Sequence, residues 1–204
     1  MPIAAACFGT LVPAASAAAA VTVTVEPPVR EQVGFDRDRP PRRLPTDAGE
    51  NSAACSNVFE IEARIASAVE ELSPTTVRVY PDKFDITTRL RSTIYLPARR
   101  GYEMREHEEG HRAIGEHYYG YAESAAREAA ESLRGRSFEA SGADRAAAEQ
   151  AAGALVRAAL KDAFMQKTHT RSAAANARYD VITNHGRNAI TAADANALAI
   201  ADDP

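Results

Sequence analysis

The chain has no tryptophan, only two cysteines, and few aromatic residues of any kind, 6% of its 204 positions. Each shortage excludes something. Alanine supplies much of the 45% hydrophobic content, so large apolar side chains are scarce and the core is expected to rest on close, thin helix packing. Two cysteines, Cys7 and Cys55, make neither a disulfide framework nor a metal knuckle. Positive charge is not in excess: 24 Lys and Arg stand against 28 Asp and Glu, a formal net charge of −4, and the basic residues are dispersed. That leaves no footprint for nucleic acid or for an anionic membrane as a partner. The length suits one domain with room for a core.

Charge is also missing from the first 20 residues, which run through Ile3–Phe8, Leu11-Val12-Pro13 and Ala14–Ala20. An apolar stretch followed by Ala-x-Ala choices near Ala15–Ala19 reads as a signal peptide at 1–20, too short and alanine-rich for a membrane span. The mature protein is then expected to be exported to the periplasm or exterior, with Cys7 removed and no stable membrane insertion. The usual Lys or Arg is absent near Met1, which points to a start further upstream. Residues 26–50 hold five prolines and mixed charges, so 21–54 reads as a linker or arm. The folded domain is expected over 55–190, with 191–204 a flexible tail.

Inside that domain, Val58, Ile61, Ile65, Val69 and Leu72 recur at helical spacing up to Ser73-Pro74, while Phe59, Ile61, Ala63 and Ile65 also alternate as a strand would. Val77–Tyr80 is a short strand candidate. Ile86–Leu96 alternates throughout, with β-branched residues frequent, and Pro97 ends it. From Tyr102 to Leu133 only Gly110, Gly115 and Gly120 interrupt a helical pattern, and Gly135–Gly142 reads as a turn. Asp144–Lys167 is a second helix with Ala147, Ala151, Leu155, Ala159 and Phe164 near one face. A third spans about Ser172–Ile190. The fold class expected is α+β: a small antiparallel sheet, then a motif helix and a mainly helical C-terminal half.

The chemistry is concentrated in His107-Glu108-Glu109-Gly110-His111. Histidines four apart on a helix project from one face, one turn apart, and can meet one zinc at about 2.0–2.1 Å each. Glu108 beside the first ligand can act as a general base, and Glu109 and Gly110 are left unconstrained. The competing reading is a solvated helix face, since Glu103, Arg105, Glu106 and Arg112 surround the motif. Its place on a helix just after an alternating strand favours a zincin-like peptidase, with Ile86–Leu96 as the sheet edge that receives an extended peptide.

A catalytic zinc usually takes a third protein ligand. His117 nearly completes a longer metal motif, but Ile114 stands where that motif needs glycine. On a continuous helix His117 lies about 120° around the axis from His111. His185 is the better candidate, in Tyr179-Asp180-Val181-Ile182-Thr183-Asn184-His185-Gly186. There Tyr179 could donate to a transition-state oxyanion, and Asp180 could orient a ligand from behind it. A C-capping role is the rival for His185. Glu123 or Glu128 would also be acceptable ligands, whereas His169 has no partner at useful spacing.

The two blocks together, His107-Glu108-Glu109-Gly110-His111-Arg112-Ala113-Ile114 and Tyr179-Asp180-x-x-Thr183-x-His185-Gly186, resemble domain-of-unknown-function family 922. Its members are bacterial, often exported proteins regarded as zinc-dependent peptidases. The resemblance covers about Val77–Ala189, and Asn188 and Ala189 depart from the Gln-Gly expected after His-Gly. It implies zinc on His107, His111 and His185, with Glu108 and Tyr179 catalytic and a peptide or protein as substrate. The rival function is a non-catalytic helical envelope or metal-binding protein. Neither reading assigns an oligomeric state.

Overall fold

The longest alternating stretch of the sequence forms the longest strand, β4 (Thr76–Pro97), at the centre of a five-stranded sheet. The structure is a computed structural model that describes residues 20–36, 38–39, 41–42, 44, 53–98 and 102–201. Nearly all of the expected signal peptide therefore lies outside the described residues. The strand candidates Val77–Tyr80 and Ile86–Leu96 are one strand, interrupted in phase rather than in course. Val77, Val79 and Pro81 are buried, then Phe84, Ile86, Leu90 and Ile94. The switch from odd to even falls where β3 shifts register between Ala66, opposite Lys83, and Ser67, opposite Pro81. Asp82 is the extra residue of a bulge, and a bulge flips which side chains face the core.

β3 (Ala54–Ser73) runs antiparallel to β4 through a hairpin that closes at Ser73 and Thr76. This corrects the helical reading of Val58–Leu72. Three of the five residues that suggested a helix are exposed, Val58 at 44%, Val69 at 41% and Leu72 at 39%. The alternating set decided the structure, because Phe59, Ile61, Ala63 and Ile65 stand opposite Leu90, Thr88, Ile86 and Phe84 and share their buried face.

The sheet is not antiparallel, which corrects the expected architecture within the α+β class. β1 (Val21–Val25) and β2 (Val29–Phe35) both lie parallel to β4, end to end on the side away from β3. β5 (Phe138–Ser141), from the segment read as a turn, continues that side antiparallel to Thr76–Val79. The supposed arm thus contributes two strands, and Pro27-Pro28 falls in the gap between them, where no ladder bond is needed. The parallel sense follows from position: Phe35 stands opposite Pro97 and Ala54 opposite Tyr95, so β2 ends where β3 begins. Ile86–Leu96 is consequently central, and the open edge beside it is β3.

Helices cover the buried face of the sheet. The stretch expected as one helix breaks at Gly120-Tyr121 into α1 (Tyr102–Tyr119) and α2 (Ala122–Leu133). α2 buries five alanines and Leu133, small side chains that permit close approach. α3 (Arg145–Lys167) is capped by Asp144, whose carboxylate accepts from Ala147 N at 2.8 Å. Its buried stripe is Ala148, Ala152, Val156, Leu160 and Phe164: Phe164 was expected there, the other four lie one residue on from the expected face, and Leu155 is 48% exposed. α4 (His169–Thr183) follows after the single residue Thr168, and α5 (Ala192–Ala201), from the supposed tail, packs on α1 and α4. No helix among the described residues is long and apolar enough to cross a membrane.

Candidate metal centre

α1 carries the motif, and three contacts fix it on the sheet. Asn57 of β3 donates through Nδ2 to His111 O at 2.9 Å, and its Oδ1 accepts from Ser92 Oγ at 2.5 Å. Gly115 makes room for that amide, since a Cβ there would lie 2.4 Å from Asn57 Cγ. Arg112 pairs with Glu109 at 2.9 Å and reaches Glu31 O at 2.8 Å, while Arg30 pairs with Glu116 at 2.6 Å. Arg112, Glu109 and Glu116 therefore work in tethering, while Glu103, Arg105 and Glu106 are exposed, and His107 and His111 turn away from the sheet toward α4.

α4 answers with a polar seam: Ser172, Asn176, Tyr179, Asp180 and Thr183. His107 Nε2, His111 Nε2 and Asp180 Oδ1 form a near-equilateral triangle, 3.2 Å between the nitrogens and 3.2 and 3.1 Å from each to the oxygen. Among the described residues, these three are the group able to hold a metal ion. Tautomers make the arrangement specific. Asn176 Nδ2 donates to Ser172 O at 2.9 Å, which turns its Oδ1 to His111 Nδ1, 2.8 Å away. Thr183 donates its hydroxyl to Tyr179 O at 2.8 Å and faces His107 Nδ1 with a lone pair at 3.4 Å. Both neutral rings then carry their proton on Nδ1, and two Nε2 lone pairs meet a carboxylate oxygen.

Three electron-pair donors at that separation repel one another unless a cation sits among them. The donor set fits zinc: a tetrahedral ion with bonds of about 2.0–2.1 Å places its ligand atoms about 3.3–3.4 Å apart. Without a metal, the triangle favours the protonated form of His111. Burial pulls His111 down, but the hydrogen bond and charge of Asp180 outweigh it and the ring is raised overall. Burial likewise works against Asp180, yet hydrogen bonds from His107 and His111 hold it well below the usual carboxylate range. Glu108, only 5% exposed, is raised by burial against the pull of both histidines. A buried carboxylate with enhanced proton affinity beside two candidate ligands is what a general base requires.

The structure separates the other expected site residues. Asp180, expected behind a ligand, stands in the triangle. His185, expected as a ligand, does not: its side chain is 70% exposed, with Nδ1 at 3.5 Å from Asp180 Oδ1. The physical reason is the end of α4, where Asn184, His185 and Gly186 all take left-handed backbone, φ 49, 54 and 77°. The turn folds Gly186 onto the His107 ring, where a Cβ would approach to 3.2 Å, and sets His185 outside. Tyr179 is not placed to meet an oxyanion. It is 1% exposed, stacks under His107, sets its ring edge-on to His111, and donates its hydroxyl to His107 O at 3.3 Å. Burial, then Glu108 and Asp180, push its phenol up to about 12.

Gly110 is also not free to vary: a Cβ there would lie 2.1 Å from Tyr179 Oη. His117 lies off the site against Tyr118 and Tyr121, and His169 against Phe59. Glu123 pairs with Arg127, and Glu128 with Lys167. Sequence reading missed Ser172, Asn176 and Thr183. The signal was present in Ser172, Asn176 and Asp180 at successive fours, a polar stripe on a helix that is otherwise alanine-rich.

No family model matches the chain, and no match to it was found among curated proteins or solved structures. What the site itself offers is two imidazoles and a carboxylate, with a buried glutamate beside them.

Proposed function

We propose that the protein is a zinc-dependent peptidase in which His107, His111 and Asp180 hold the metal and Glu108 is the general base. The observation that carries this reading is the convergence of two imidazole lone pairs and a carboxylate oxygen beside the buried Glu108. When bound, zinc would supply Lewis acidity, making a water more acidic and polarising a carbonyl oxygen. Glu108 would take the proton from that water and pass it to the leaving amine, work worth about 10²–10⁴-fold in rate. Tyr179 would hold both imidazoles from below. β3 pairs only with β4 among the described residues, so its outer edge is open. Its first residues lie against the motif helix through Asn57, and an extended peptide could add along that edge. Residues 1–20 would serve as an export signal.

The test combines metal analysis with turnover of a peptide pool by the purified protein. The wild type should bind one zinc per chain, His111→Ala and Asp180→Ala should lose it, and Glu108→Gln should keep it while turnover disappears. Equal turnover by Glu108→Gln would remove the base. Stoichiometric zinc with no cleavage of any peptide would make the protein a metal-holding one instead.

A further inference from the structure

We propose that Asn176 is a positioning residue for the metal centre, holding His111 in the tautomer whose Nε2 lone pair faces the metal, with Ser172 holding Asn176 in turn. The inference rests on the zinc reading above.

Helix α4 meets α1 along a seam that burial alone would fill with apolar residues, as the stripe of α3 is filled. Instead Ser172, 2% exposed, Asn176 and Asp180 follow one another at every fourth position on the face toward α1. Asn176 is half-buried, and an amide withdrawn from water is costly unless its groups are paired, as here they are. Asn176 Nδ2 donates to Ser172 O at 2.9 Å and lies 3.3 Å from Ser172 Oγ, and its Oδ1 accepts from His111 Nδ1 at 2.8 Å. Reversing the amide would set its oxygen against the Ser172 carbonyl, so the orientation that turns Oδ1 to His111 is the one that satisfies the seam. A neutral imidazole has one N–H, and the partner of that N–H decides which nitrogen is left to bind. Asn176 therefore acts on a metal through His111, without touching it.

The experiment titrates the metal-free full-length chain with Zn²⁺ against a chromophoric chelator, and with Co²⁺ by visible absorption. Asn176→Leu fills the same volume but removes the acceptor, and Asn176→Asp restores an acceptor for Nδ1–H. The Leu variant should bind zinc about 10–100-fold more weakly, with a shifted cobalt band, while its metal-free melting temperature stays close to that of the wild type. The Asp variant should bind zinc as tightly as the wild type or more so. Equal zinc affinity in the Leu and wild-type proteins would overturn the proposal. So would an Asp variant that binds weakly, and that variant decides alone if the Leu variant does not fold. A wild-type chain that takes up no stoichiometric zinc would instead refute the zinc reading on which the inference rests.

Discussion

Gly110→Ala places a methyl group where the motif tolerates none. The added Cβ would lie 2.1 Å from Tyr179 Oη, 2.4 Å from Cζ and 3.0 Å from Cε2, so the ring would have to retreat by about 1 Å to reach ordinary contact. It has little room to do so. Tyr179 is buried, with the His107 ring stacked at 5.1 Å and the His111 ring edge-on at 4.9 Å between centroids. Overpacking of this kind costs about 1–3 kcal/mol, against a gain of about 1 kcal/mol from replacing glycine by alanine in a helix. Because two ring atoms are struck rather than one flexible end, the upper part of that range applies, and the net loss should be about 1–2 kcal/mol. Gly153→Ala in α3 is the control, since its Cβ would meet only the flexible tip of Arg157 at 3.3 Å; it should gain up to about 1 kcal/mol. Urea unfolding of both variants measures the difference, and zinc titration should find weakened binding in Gly110→Ala alone. Tyr179→Phe should not rescue it, because Cζ remains. A Gly110→Ala protein as stable as the control, with unchanged zinc affinity, would refute the packing argument.

Zinc at 100 times its dissociation constant should stabilise the fold by about 2.7 kcal/mol, or about 5–10 °C in melting temperature for a domain of this size; identical melting in zinc and in EDTA would contradict a metal joining α1 to α4. His185→Gly relieves left-handed strain of about 1–2 kcal/mol, partly offset by the freer unfolded chain, so stability should rise by up to about 1 kcal/mol. Zinc should be retained in that variant, and its loss would restore His185 as a ligand. The Cys55 thiol is pushed up to about 12, by burial first and then by Glu108. In a Cys7→Ser background it should resist a thiol reagent at pH 8 until the chain unfolds. Because its folded value lies above the unfolded one near about 8.5, its contribution to stability is fully present below that pH and is lost as pH rises toward 12. A flat stability profile across this range, or one unchanged by Cys55→Ala, would contradict the raised value of this half-buried thiol.

One strand of the sheet, β4, was legible, but not the four strands arranged around it. The alternation of Ile86–Leu96 is unambiguous, and it marks a strand wherever it sits in a sheet. What it does not carry is whether the strand is central. That depends on Val21–Val25, which alternates as cleanly, and on Val29–Phe35; both stand in the segment 21–54 whose composition suggested a linker. Prolines at 27 and 28 argue against a continuous central strand, yet they are harmless in a gap between two strands on one edge. The bulge at Asp82 hid the unity of β4 for a related reason, since one extra residue inverts the phase that pattern reading relies on.

The site divides along the same line between phase and identity. His107 and His111 were legible because their spacing is a helical turn, a statement about phase. The third position was read by identity instead, preferring the histidine at 185 to the aspartate at 180. Phase would have reversed the choice: Ser172, Asn176 and Asp180 repeat every four residues, one face of one helix, while His185 lies beyond the last helical residue. Its left-handed backbone could not be anticipated, because Gly186 next to it is the residue that ordinarily takes such a turn, and here Asn184 and His185 take it as well. A carboxylate carried on a packed helix is held more tightly than an imidazole on a turn. Glu108 on α1 and Asp180 on α4 stand on two helices packed against one another, so proposed base and proposed ligand share one frame.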